Sequence, residues 1–153
     1  MSTRCQLEFR FVWKDNKGKE RVDRRTVYRH SDGYPDGVIP DLKEFLKWNS
    51  DRNNDVEYSA ANFIYWSKRT NEDQYLNRRG EKKKKWNGKE VIKDHHNILK
   101  IGFGVCKNDE FHGDIQYFYH VETDEKGKTV IKCFENWGKD MTKFKPIKIV
   151  KVK

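Results

Sequence analysis

From Cys5 to Trp13 the chain alternates: Cys5, Leu7, Phe9, Phe11 and Trp13 are apolar or aromatic, and Gln6, Glu8 and Arg10 stand between them. A period of two is that of a β-strand with one buried face, because successive Cβ atoms point to opposite sides of a sheet. A strand of this kind must be covered on its apolar side and paired along its edges, so the rest of the chain has to build a sheet around it. Asp15-Asn16-Lys17-Gly18 is a turn signal, and from Arg21 to Arg29 the residues Val22, Thr26 and Tyr28 alternate with Asp23, Arg25 and Val27. The first two strands therefore read as a hairpin.

Beyond a loop at His30 to Gly37, Pro40 marks a helix start, with Leu42, Phe45 and Leu46 facing inward at i, i+3 and i+4 and the end near Trp48 to Ser50. Asp55 is placed to cap a second helix, whose stripe is Val56, Ala60, Phe63 and Ile64 and which should run to about Arg69. Asn71 to Arg79 offers a short third helix, and Glu81 to Asp94 lacks apolar periodicity and reads as an exposed loop or hairpin arm. Strand patterns return at Ile98 to Cys106, Ile115 to Val121 and Val130 to Glu135, and Ile147 to Val152 is a lysine-studded candidate edge strand. Gly102 and Gly104 on one face of the first of these mark a close approach or a bulge.

The order ββαα(α)βββ, with a sixth strand at the end, predicts an α+β fold: a single antiparallel sheet of five to six strands with two or three helices on one face. At 153 residues one domain is expected, with a basic insert at about 78–94 and a Lys-rich strand or tail at 139–153. A charged fraction of 37% would suit a disordered chain, but 5 Trp, 7 Tyr and 9 Phe argue for a small aromatic core. No apolar run approaches the roughly 18 residues of a membrane span, and no signal-peptide h-region precedes the first strand, so a soluble cytoplasmic protein with no membrane partner is expected. Cys5, Cys106 and Cys133 are an odd number at wide spacings, which fits reduced, mostly buried thiols and neither a disulfide framework nor a CxxC metal knuckle.

Net charge is +9, and its location is more informative than its size. Residues 76–93 carry eight bases and two acids (+6), residues 139–153 six lysines and one acid (+5), and everything else sums to −2. Arg78, Arg79, Lys82, Lys83, Lys84, Lys85, Trp86 and Lys89 combine phosphate-neutralising cations with a stacking surface, which makes nucleic acid the favoured partner. The competing reading of such a run is a solvated loop.

Tyr28-Arg29-His30-Ser31-Asp32-Gly33-Tyr34-Pro35-Asp36-Gly37, followed by a Leu/Phe-striped helix, resembles the signature Y-x-H-x-D-G-Y-P-x-G of a group of small uncharacterised proteins from phages and prokaryotes. His112-Gly113-Asp114-Ile115 after Gly102-Phe103-Gly104 is similar to their second block, H-G-D-I. Members usually carry an aromatic where this chain has Ser31. The resemblance implies a shared fold and a phage or mobile-element context, and it assigns no catalytic role.

The two His-x-Asp pairs, His30 with Asp32 and His112 with Asp114, are candidate metal ligands or catalytic groups, since imidazole plus carboxylate suits Zn²⁺, Mn²⁺ or Fe²⁺ and an open site could activate water. That defines the alternative function, a nuclease-like metal-dependent hydrolase. The plain alternative is turn chemistry: Asp32-Gly33 and Pro35 form a loop for conformational reasons alone. A polar pocket built from His30, Tyr34 and Asp36 without metal is another. Asp94-His95-His96 reads as a solvated strand entrance, because adjacent residues point different ways. Cys106, six residues before His112, reads as a small hydrophobe. The favoured reading is a non-enzymatic binding or accessory protein without cofactor, and a third reading is pairing with a protein or a second copy through the edge strand near Lys148 to Lys153.

Overall fold

The computed structural model describes residues 2–78, 102–135 and 140–152. It contains β1 (Cys5–Lys14), β2 (Glu20–Arg29), α1 (Pro35–Trp48), α2 (Val56–Arg78), β3 (Phe103–Cys106), β4 (Tyr117–Asp124), β5 (Thr129–Phe134) and β6 (Lys148–Val152), with a single 3-10 turn at Met141–Lys143. The fold is α+β, one six-stranded sheet in the order β3-β2-β1-β4-β5-β6. Among the described residues no helix is long and apolar enough to cross a membrane.

The hairpin forms as its alternation requires, with Cys5 opposite Arg29 and Trp13 opposite Arg21. Asp15 holds the turn by accepting from the Lys17 and Lys19 amides through Oδ1, and Gly18 takes φ +74°. The sheet departs from a purely antiparallel arrangement at one pair: β4 runs parallel to β1, Cys5 opposite Tyr117 and Val12 opposite Asp124. Parallel neighbours need a crossover, usually a helix. Here the chain leaves β3 at one edge and reaches β4 through residues 107–116, without a helix, across the side of the sheet that the helices leave open.

Both helices lie on the other side. Phe45 of α1 meets Phe9 at 5.8 Å and Phe63 of α2 at 5.2 Å between ring centroids, and Phe63 meets Phe9 at 5.6 Å. Leu7, Val27, Leu42, Tyr119, Ile131 and Cys133 are among the other residues of this main core. A smaller core on the opposite side packs Ile115, Phe118, Phe134 and Met141 with partly buried Tyr28 and Phe111.

Two helix boundaries differ from the sequence reading. α1 starts at Pro35, not near Pro40, because Pro35 occupies the first turn where a missing N–H costs nothing. Pro40 is carried inside the helix. α2 is capped by the expected Asp55, whose Oδ1 accepts from the Tyr58 amide at 3.2 Å. It then continues unbroken to Arg78, absorbing the separate third helix expected from Asn71. Of the strand expected at Ile98 to Cys106, the part from Phe103 is present, and Ile98 to Ile101 lie outside the described residues.

Gly33 explains the tightest point in the loop before α1. Its N–H donates to the Thr3 carbonyl at 2.9 Å, and a Cβ there would stand 2.9 Å from the Arg4 carbonyl carbon. Gly33→Ala must therefore push β1 from the loop and lower stability. Phe45→Ala, which empties the meeting point of both helices and β1, should cost about 3–5 kcal/mol. Urea denaturation of the two variants checks both, and a Phe45→Ala loss below about 1 kcal/mol would contradict the packing described.

Candidate functional site

β2 divides the signature loop between the two faces of the sheet. Tyr28 points to the side crossed by residues 107–116, and Arg29, the next residue, points to the helix side. Each becomes the centre of a polar cluster.

On the crossing side, the Tyr28 hydroxyl donates to Asp114 Oδ2 at 3.2 Å and lies 3.5 Å from His30 Nδ1. The His112 ring stands 4.9 Å from the Tyr28 ring, Arg4 Nη1 pairs with Asp114 Oδ2 at 3.1 Å, and His112 Nε2 is 3.6 Å from Cys106 Sγ. Three of the four His-x-Asp residues thus gather round one tyrosine. Asp32 does not: it takes φ +53° and lines a cavity on the helix side. Among the described residues no group of three His, Cys, Asp or Glu side chains is placed to hold a metal ion. The Cys106–His112 contact was not legible at a spacing of six. Burial, with the Glu110 carboxylate adding to it, pushes the Cys106 thiol up to about 11, so the group rests as a thiol.

Further along the same side, Gln6 and Glu8 are buried at 0% and 4% exposure, contrary to the half-exposed strand expected from alternation. Gln6 Nε2 donates to the Glu110 carbonyl at 2.8 Å, and its Oε1 accepts from the His112 amide at 2.8 Å. Glu8 Oε1 accepts from Arg10 Nη1 at 2.6 Å, Arg10 also reaches Glu122 at 3.3 Å, and Glu122 pairs with Lys132 at 3.3 Å. His120 Nε2 lies 3.7 Å from Glu8 Oε1. A cavity of about 300 Å³ opens here between Glu8, Arg24, Phe111, His120 and Asp140. Burial, reinforced by the cations Arg10, Lys132 and Arg24, drives His120 down to about 3, so the imidazole is neutral. Only the position of His120 in an alternating segment hinted at this group.

On the helix side, Arg29 is buried at 7% exposure. Its Nη1 donates to Asp41 Oδ2 at 2.7 Å and its Nε to the Ser31 carbonyl at 2.8 Å, which ties the signature loop to α1. The Tyr119 hydroxyl donates to the Gly33 carbonyl at 2.8 Å and fixes the same loop from β4. Together these hold open a cavity of about 590 Å³. Tyr34 and Asp36 line it as the pocket reading supposed, but His30 is not among its walls.

Of the basic candidates, Arg78 ends α2, and Arg79, Lys82, Lys83, Lys84, Lys85, Trp86 and Lys89 lie outside the described residues, as does the Asp94-His95-His96 cluster. The strand arginines are all ion-paired: Arg10 with Glu8, Arg21 with Asp15, Arg24 with Asp109, Arg25 with Glu57 and Arg29 with Asp41. Arg21, Arg24 and Arg25 pair at the surface, and Arg10 and Arg29 are more deeply held. The chain matches none of the protein-family models, curated proteins or solved structures with which it was compared.

Two outcomes follow from the buried polar face. Because the folded state holds His120 neutral down to about pH 3 and the unfolded chain protonates it near 6.5, the unfolded state binds more protons between those values. Stability should then rise with pH across that window, by up to about 1.4 kcal/mol per unit from this group, and fall as pH drops. His120→Phe should flatten the slope; a slope unchanged in that variant would contradict the assignment. Gln6→Leu, close in size, leaves the Glu110 carbonyl and His112 amide unpaired and should cost about 1–3 kcal/mol. It should also speed the reaction of Cys106 with a thiol reagent, read against a Cys106→Ser control, because the segment covering the thiol loses its anchor.

Proposed function

We propose that this protein is a non-enzymatic accessory protein that binds nucleic acid through residues 78–93, with the Lys-rich C-terminal segment extending the contact. One observation carries the reading: the excess charge is +11 in two short segments over a remainder of −2. The geometry supports it by subtraction. Each strand arginine is paired with a carboxylate, whereas the edge strand β6 bears exposed Lys151 next to exposed Ile149. Phosphate neutralisation works through cations that are not already committed, and Trp86 beside four lysines adds a face on which a base can stack. Lys148 stands only loosely against Asp36, at 3.9 Å, so it too can turn to a phosphate.

Fluorescence anisotropy with single- and double-stranded oligonucleotides over a salt series tests this. If about six cations meet phosphate, affinity should fall with a log–log slope of roughly −4 to −5. Replacing Lys82, Lys83, Lys84 and Lys85 by alanine should remove about four of those contacts and reduce the slope in proportion. Absence of binding at low salt, or binding indifferent to that replacement, would sink the proposal.

A further inference from the structure

The outer face of the helix pair is aromatic where the solvent face of a helix is normally polar. Val56, Ala60 and Phe63 turn α2 toward the main core. The opposite stripe, at i, i+3, i+7 and i+11, holds Tyr58, Ala61, Tyr65 and Arg69, all exposed. Trp48, the last residue of α1, comes up beside it. Trp48 is 53% exposed and its ring lies 6.5 Å from that of Tyr65, itself 57% exposed, at an interplanar angle of 30°. Tryptophan is on average highly buried, and exposed apolar surface gathered in one place marks a contact.

The two rings are held in place from beneath. Buried Phe45 meets the Trp48 ring at 6.2 Å. The next residue, Asn49, is buried and clamps the end of α1 to α2: its Nδ2 donates to Asn53 Oδ1 at 3.0 Å and to Ser59 Oγ at 3.2 Å, and its Oδ1 accepts from Asn62 Nδ2 at 2.8 Å. A surface ordered before its partner arrives loses less entropy on binding.

The charge around the rings is positive. From Tyr58 to Thr70, α2 has two cations, Lys68 and Arg69, and no carboxylate, and residues 43–52 carry Lys43, Lys47 and Arg52 against Glu44 and Asp51. Between these stretches Asp55 is the cap of α2 and Glu57 is paired with Arg25. The balance is five bases to two acids (+3), and it holds as far as Thr70, after which Glu72 and Asp73 follow in the sequence. Lys47 and Arg69 are exposed and enter no ion pair among the described residues. The Arg52 guanidinium carbon lies over the Tyr58 ring, 5.1 Å from its centroid, and a guanidinium so placed keeps N–H donors at its rim for a phosphate. A second copy meeting this face about a twofold axis would set these cations against one another. A run of acidic residues would meet the cations and leave the rings unmatched. Nucleic acid matches both, and only a single strand has free base faces to offer, because in a duplex they are stacked on each other.

On the strength of the nucleic-acid reading, we infer that the outer face of α1 and α2 is a stacking platform for single-stranded nucleic acid. Bases lie on Trp48 and Tyr65, and phosphates are met by Lys47, Arg52 and Arg69. α2 ends at Arg78, where the basic stretch of the sequence begins. That stretch supplies affinity for any phosphate backbone, and the platform supplies the preference for a single strand.

Fluorescence anisotropy on the full chain tests this, with an oligothymidine of about twelve nucleotides, inside the roughly 4–16 of one such site, and a mixed-sequence duplex of equal length. The single strand should bind more tightly than the duplex. Trp48→Ala and Tyr65→Ala should each weaken the single strand by about tenfold and leave the duplex unchanged. The salt slope should stay as it was, since stacking releases no counterions. Trp48→Phe keeps a ring and should keep most of the affinity, and Tyr34→Ala, an exposed ring at the other end of α1, should change nothing. Single-strand binding that survives both alanine variants, or a loss that falls equally on the duplex, would overturn the platform; if such binding still needs Lys82 to Lys85, the nucleic-acid proposal stands without it. Ring-dependent binding indifferent to Lys82 to Lys85 would keep the platform and remove the basic segment. No binding to oligothymidine would end both, and self-association lost in Trp48→Ala would then assign the face to a second copy.

Discussion

Burial of the polar face of β1 is the constraint from which most of this structure follows. Gln6 and Glu8 face away from the helices, and on an open sheet they would meet water. Here the crossing segment 107–116 covers them, because β4 lies parallel to β1 and the chain must return across the sheet to start it. Buried polar groups must be hydrogen-bonded and buried charges paired. Gln6 meets that demand by clasping the crossing segment at two backbone positions, and Glu8 by taking Arg10, which in turn reaches Glu122 and Lys132. The same demand leaves His120 neutral among cations.

The sheet pairs its own arginines. Its arginines are held by carboxylates from neighbouring strands, from α1 and α2, and from the crossing segment. The excess basicity of the chain falls in residues 76–93 and 139–153, the second of which includes the exposed lysines of β6. The paired arginines of the sheet and the excess cations of the chain thus fall in different stretches of the sequence.

The hairpin was legible because alternation over Cys5 to Trp13 and the Asp15 to Gly18 turn are local signals. So were the inward stripes of α1 and α2 and the Asp55 cap. The second buried face of β1 was not, because Gln6, Glu8 and Arg10 look the same in sequence whether they meet water or the crossing segment. The parallel pair was hidden for a related reason: β4 is buried on both faces over Phe118 to Val121, and pairing direction is decided by a non-local connection. Pro35, read as part of a loop, is the proline that starts α1, and Pro40, expected at that start, lies inside the helix. The His-x-Asp pairs looked equivalent but are not. His30, just past β2, and Asp114, at the end of the crossing segment, both lie against Tyr28, whereas Asp32 lines the cavity on the helix side. Arg29, Ser67 and Trp66 carry no motif, so the cavity they line became visible only in the fold.

The division of charge is the central claim, and backbone amide NMR on the protein with a short single-stranded oligonucleotide tests it most directly, residue by residue. Shift changes and line broadening are expected at 76–93 and 139–153, with the amides of Arg10, Arg24 and Arg25 unmoved because their guanidiniums stay in their ion pairs. Perturbation centred on those strand arginines, with the two basic segments unaffected, would contradict the account.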